Sequence, residues 1–230
     1  RHFAILEYEF RFGNPAQAHG VLHPAYGKAR RSQVYQDAAY AQKYRNFVAR
    51  VRSAESRAAT AGERLTRAVA SGYFRLLAYK DEYEVARLYS DGVFRHELEK
   101  RFGSDLRIAY HLAPPLIAGR DPFTGHLKKR AYGPWVGTAF NWIRRMRRLR
   151  GTWLDPFGYT DERKMERRLI IEYEDLIGSL LGALSPANYR LAVDLALLPE
   201  DLRGFGHVKQ KNAEKMKRRE KELLAEFRSA

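Results

Sequence analysis

Cysteine is absent from the 230 residues. A chain without thiols has no disulfide framework, no thiolate nucleophile, no Cys-type zinc site and no Cys-ligated iron–sulfur cluster of its own. Its composition suits a reducing compartment. Long apolar runs are missing too. No stretch approaches the length a membrane-spanning helix needs, and residues 1–12 lack the unbroken apolar core of a signal peptide. The chain starts at Arg1 rather than at a methionine, as expected of a fragment or a trimmed chain. Phosphate loops of the GxGxxG or GxxxxGK type and the GxSxG nucleophile elbow do not occur. The seven histidines form no HExxH or HxH pair, so no metal site is expected.

What is abundant is positive charge. Lys and Arg number 42 against 27 Asp and Glu, giving +15 and a pI near 10.0. Hydrophobic residues at 45% argue against wholesale disorder, and the length suffices for a buried core without staples. From Arg120 to Arg150 nine basic residues face one acid, Asp121, with Phe123, Tyr132, Trp135, Phe140 and Trp142 interleaved. Such a stretch attracts polyanions and offers rings for stacking. It also fits a solvated helix face whose aromatics belong to the core, since Phe140, Ile143, Met146 and Leu149 keep helical spacing.

The patterning predicts a mainly α fold: a bundle-like helical domain over residues 31–230 with a small antiparallel hairpin. Residues 1–30 form a separate strand and linker. Leu6, Tyr8, Phe10 and Phe12 alternate with charged residues, as in a half-buried strand, and a Gly- and Pro-rich linker follows. Helical stripes then run over 32–59, 65–77, 79–89 and 91–102. Residues 105–112 alternate again and predict a strand that returns near 127–132. Helices follow over 136–149, from a Thr160 cap to Leu184, from a Ser185–Pro186 start to Leu198, and over 208–227. Without βαβ alternation a doubly wound sheet is not expected. Asp81, Glu82 and Glu84 read as helix-surface salt bridges. His111 reads as a hydrogen-bonded structural histidine, and His207 as part of a connector or a helix-start anion site.

Four stretches go further. LLAYKDEYEVARLYSDGVFRHELEKRFG (76–103), YHLAPPLIAGRDPFTGHLKKRAYGPW (110–135), RLRGTWLDPFGYTDERKMERRLIIEYE (148–174) and LPEDLRGFGHVKQKN (198–212) resemble, in order, the C-terminal region of indolepyruvate ferredoxin oxidoreductase. The likeness is to its long single-chain bacterial form and runs from about residue 35 to the C-terminus. The resemblance implies a parent that oxidatively decarboxylates aryl or branched 2-oxoacids to acyl-CoA. Such a parent uses thiamine diphosphate with Mg²⁺ and [4Fe-4S] clusters, and it delivers electrons to ferredoxin. It also implies a cytoplasmic homo-oligomer. The cofactor parts of that family lie upstream, so no catalytic, cofactor-binding or metal-binding residue carries over to this segment.

The expected role is therefore accessory: a non-catalytic C-terminal domain that packs against upstream catalytic domains or docks ferredoxin. The motif loops supply candidate interface residues: Pro114, Pro115, Asp155, Pro156, Phe157, Gly204, Phe205 and Gly206. The basic stretch supplies a candidate surface for an acidic partner: Lys128, Lys129, Arg130, Arg144, Arg145, Arg147 and Arg148. The alternatives are a free-standing basic protein that binds nucleic acid and a degenerate product without activity of its own.

Overall fold

A computed structural model describes residues 38–58, 62–79, 81–90, 92–105, 108–112, 119, 130–204 and 206–230. The expected strand and linker of 1–30 lie outside the described residues. Among those described are eight α-helices and one two-stranded hairpin. The helices are α1 (Ala38–Arg57), α2 (Arg64–Leu77), α3 (Glu82–Ser90), α4 (Val93–Phe102), α5 (Val136–Arg145), α6 (Asp161–Gly182), α7 (Tyr189–Leu197) and α8 (Gly206–Ser229). The hairpin pairs β1 (Tyr110–Leu112) with β2 (Arg130–Tyr132). Short 3₁₀ segments continue α5 over Met146–Leu149 and α7 over Leu198–Asp201.

The main core lies between α1, α2, α6, α7 and α8. Each helix contributes the apolar stripe its spacing foretells: Tyr44, Val48 and Val51 from α1; Leu65, Val69, Tyr73, Leu76 and Leu77 from α2; Leu169, Tyr173, Ile177 and Leu180 from α6; Met216, Leu223 and Phe227 from α8. Tyr44, Tyr73 and Tyr173 stack in series, centroids 6.0 and 6.2 Å apart. Their hydroxyls donate to Ala70 O, Glu174 Oε1 and Ala196 O, so each buried polar tip is satisfied. Gly72 marks where α2 crosses α7. A Cβ there would lie 2.5 Å from Ala196 O and 2.8 Å from the Tyr173 hydroxyl, so only glycine lets the backbones approach this closely.

A buried acid holds the start of α2. Glu55, from α1, accepts hydrogen bonds from Leu65 N (2.8 Å), Thr66 N (3.0 Å), the Thr66 hydroxyl and Tyr189 OH (2.6 Å). It thus satisfies free N–H groups of a helix whose own N-cap residue, Glu63, supplies no side-chain cap bond.

A second, smaller cluster joins α3, α5 and the hairpin through Ala86, Tyr110, Val136 and Phe140, with Tyr89 and Ile143 against them. Tyr89, Tyr110 and Phe140 make stacked and edge-on contacts at 5.4 to 5.7 Å.

Three local expectations are corrected. The strand foreseen over 105–112 shortens to Tyr110–Leu112. With Tyr110 opposite Tyr132, Ile108 would face Pro134, which has no N–H to give the ladder. The helix foreseen to Leu149 tightens to 3₁₀ at Met146, and Met146, expected on the buried stripe, is exposed. Ser185 and Pro186 do not open α7. Ser185 N donates to Asn188 Oδ1 and Asn188 N to the Ser185 hydroxyl, closing a turn from which the helix starts at Tyr189.

Candidate docking face

Residues 130–160 contain six arginines and one carboxylate, Asp155. Both ends of that charge balance are set from below, by a buried polar frame at the start of α3. Asp81 caps α3, accepting from Glu84 N at 2.8 Å. It also takes Arg150 in a bidentate pair, 2.6 Å from Nε and 2.9 Å from Nη2. Both side chains are buried, and the guanidinium lies over the Tyr83 ring. Asp81 is thus no surface salt-bridge residue, contrary to its sequence reading. A charge desolvated this far is retained only when its hydrogen bonds are made.

Asp155 organises the loop Gly151–Thr160. Its carboxylate accepts from Gly151 N (2.8 Å), Phe157 N (3.1 Å) and Tyr83 OH (2.8 Å). Burial, then the bond to Asp155, pushes the Tyr83 hydroxyl above its ordinary value, so it remains a donor. Gly158 gives the carboxylate room: a Cβ there would lie 2.8 Å from Asp155 Oδ2. The loop leaves into α6 through Thr160, whose hydroxyl accepts from Arg163 N, the cap foreseen from sequence.

With Arg150 and Asp155 turned inward, no exposed carboxylate remains in this segment. Arg130, Arg145 and Arg148 are exposed. Arg144 is half-buried and donates to Ser90 O, and Arg147 is half-buried. All three tryptophans of the chain lie here and are exposed: Trp135 at 63%, Trp142 at 64% and Trp153 at 80%. Leu154 and Tyr159 are exposed beside Trp153, and Arg145 stands over the Trp142 ring. Tryptophan is usually well buried, so three exposed ones next to arginine form the unusual feature of this surface. The competing sequence reading, aromatics in the core, holds for Phe140 and fails for Trp135 and Trp142.

The structure separates the other candidates. Asp155 is an internal strut, not an interface carboxylate. Pro156 is exposed and Phe157 is half-buried, edge-on to Tyr83. Gly204 has a left-handed backbone, as does Gly206, whose N–H donates to Glu162. Pro114, Pro115, Lys128, Lys129 and Phe205 lie outside the described residues, as does the His207 side chain. His111 lies exposed on the outer side of the hairpin rather than in a structural role. Against the expectation of no metal-ligand spacing among the histidines, His19 and His23 stand four apart. They too lie outside the described residues.

A second polar knot joins α3, α6 and α8, foreshadowed in the sequence only by acids and bases at helix starts. Glu166 pairs with Arg163 and Lys209. Glu82 faces Arg163 Nε at 3.6 Å, and Tyr79 lies under the guanidinium. Burial raises the Glu82 carboxyl, against the opposing pull of Arg163. Among the described residues no group of three or more His, Asp or Glu is placed to hold a metal ion. Two crevices between helices measure about 10 and about 20 Å³, room for a water and no more. None of the described helices is long and apolar enough to cross a membrane.

Fold and surface define a mainly helical domain with a basic, tryptophan-bearing face. The chain belongs to the family of unknown function DUF6537, whose model matches residues 26–222. No curated protein and no solved structure matches it.

Proposed function

We propose that this chain is a non-catalytic interaction domain of a cytoplasmic 2-oxoacid:ferredoxin oxidoreductase of the indolepyruvate type. Its basic face docks the acidic electron carrier near upstream catalytic domains. Those domains, not this segment, hold thiamine diphosphate, Mg²⁺ and the [4Fe-4S] clusters in the homo-oligomeric parent. The ordered motifs of residues 76–212 support the parent. The observation that carries the docking role is the 130–160 segment, whose exposed arginines and tryptophans stand without one exposed carboxylate until Asp161 opens α6. A net positive segment of this kind accelerates encounter with an oppositely charged partner and suits weak, fast-exchanging complexes.

Titration of the full chain with an acidic bacterial ferredoxin tests this. Binding is expected at low ionic strength, weakening steeply with salt. The paired reversal Arg145→Glu with Arg148→Glu is expected to slow association about tenfold or more. Binding indifferent to salt and to that reversal, or none at all, overturns the proposal. A preference for DNA or RNA over ferredoxin at the same ionic strength would favour the nucleic-acid alternative instead.

A further inference from the structure

The loop Gly151–Thr160 differs from the basic surface beside it. It carries no lysine or arginine, and its single charge, Asp155, is buried. Outward it presents Trp153, Leu154 and Tyr159, at 80%, 51% and 62% exposure. A mobile loop with such side chains would signify little. This one is fixed from within. The Asp155 carboxylate ties Gly151, Phe157 and Tyr83 together, and Thr152 closes on Leu149 through its N–H and its hydroxyl. Arg167 donates to Gly158 O, and Tyr159 OH donates to Trp153 O at 2.6 Å. That last bond pins the Tyr159 side chain to the Trp153 backbone across the outside of the loop.

We infer that this loop is a preformed apolar anchor for an acidic protein partner, inserting Trp153 and Leu154 against an apolar spot ringed by carboxylates. The inference rests on the docking role proposed above and deepens it: the arginines steer, and the loop supplies the dry contact. Rigid aromatic residues at the centre of an interface carry most of its affinity, and preordering removes much of the entropic cost of using them. Charge selects the occupant. A second copy would bring the arginines of 144–148 against one another on a chain of net charge +15. A nucleic acid would find rings to stack on at Trp153 and Tyr159 but no cation on the loop itself for its phosphates, and Leu154 offers its bases no stacking surface. An acidic protein with an apolar spot satisfies both halves of the surface.

The test uses the full chain, an acidic bacterial ferredoxin as probe, and two ionic strengths. At about 0.5 M salt, charges separated by more than a few ångströms are screened. The double variant Trp153→Ala with Leu154→Ala alters only exposed side chains, and an unchanged melting temperature verifies its fold. It is expected to weaken binding about tenfold or more at both ionic strengths. The Arg145→Glu, Arg148→Glu pair is expected to weaken binding at low salt and to converge on the unmodified chain at high salt. If the tryptophan–leucine variant binds as tightly as the unmodified chain while the reversal weakens it, the anchor is wrong and the docking role survives. If the unmodified chain does not bind ferredoxin, both fall. Self-association, or single-stranded DNA binding, that depends on Trp153 would assign the loop to another occupant and overturn the inference.

Discussion

Charged residues in this protein divide into those that face water and those that replace backbone partners inside. Glu55, Asp81 and Asp155 belong to the second group. Each accepts backbone N–H groups that would otherwise be buried without partners. Removing such an acceptor strands its donors, which costs more than the bond itself contributes. Asp155→Ala is therefore expected to destabilise the fold by about 2–4 kcal/mol, measured by urea denaturation. It should also broaden or shift the Trp153 emission as the loop loses its tie. An unchanged midpoint and spectrum would mean the loop is held by other contacts. Glu82 behaves in the opposite sense. Burial raises its carboxyl above the ordinary 4.5, so the neutral form suits the fold better than the charged one. Its stabilising contribution is complete below 4.5 and is lost as pH rises through the raised value. Glu82→Gln is expected to match or exceed the unmodified chain in stability at neutral pH, and the difference should shrink toward pH 4.5. Thermal melts across that range check it, and a variant less stable only at neutral pH would contradict it.

Helices show how far pattern reading reaches. The apolar stripe of α2 and most of that of α6 were legible because three- and four-residue spacing is a direct consequence of helix geometry, whereas the burial of Ile170, Arg163 and Glu166 on α6 was not. The Thr160 cap was legible for a related reason: its hydroxyl acts locally, within its own turn. The start of α7 was not, because Ser185 and Asn188 satisfy each other and so move the helix start three residues on. The end of α5 was not: the chain tightens to 3₁₀ at Met146 and then commits Arg150 to Asp81, a partner 69 residues away in sequence. The crossing of α2 over α7 is a similar non-local fact, and Gly72 reads as an unexceptional residue until Ala196 O is placed beside it. Gly72→Ala is expected to push the two helices apart and cost about 1–3 kcal/mol or more. Chemical denaturation measures it, and a neutral or stabilising effect would show that the crossing relaxes freely.

At the scale of the whole molecule, two apolar clusters leave all three tryptophans exposed in residues 130–160, beside six arginines and one buried acid. The sequence made the charge visible but not its sidedness. Nine basic residues over 120–150 announced a positive surface. That Arg150 and Asp155 both turn inward, which leaves the outside of this segment free of carboxylates, depends on Tyr83 and Asp81, distant in sequence. Nor did spacing show that Trp135 and Trp142 face out, since Phe140 on the same helix faces in. Of the candidate interface residues quoted from the motifs, Pro156 is exposed on the loop, and the large apolar side chains exposed beside it are Trp153, Leu154 and Tyr159.

The chain's only tryptophans are these three, which makes oxidative footprinting of tryptophan the most direct measurement of its central claim. Hydroxyl-radical labelling of the full chain, with and without saturating acidic ferredoxin at low salt, reads Trp135, Trp142 and Trp153 separately by mass spectrometry. Strong protection of Trp153, with Trp142 protected beside Arg145, is the predicted result, lost together with binding in the Arg145→Glu, Arg148→Glu variant. Equal labelling of all three tryptophans with bound and without bound ferredoxin would contradict the assignment of this face as the docking surface.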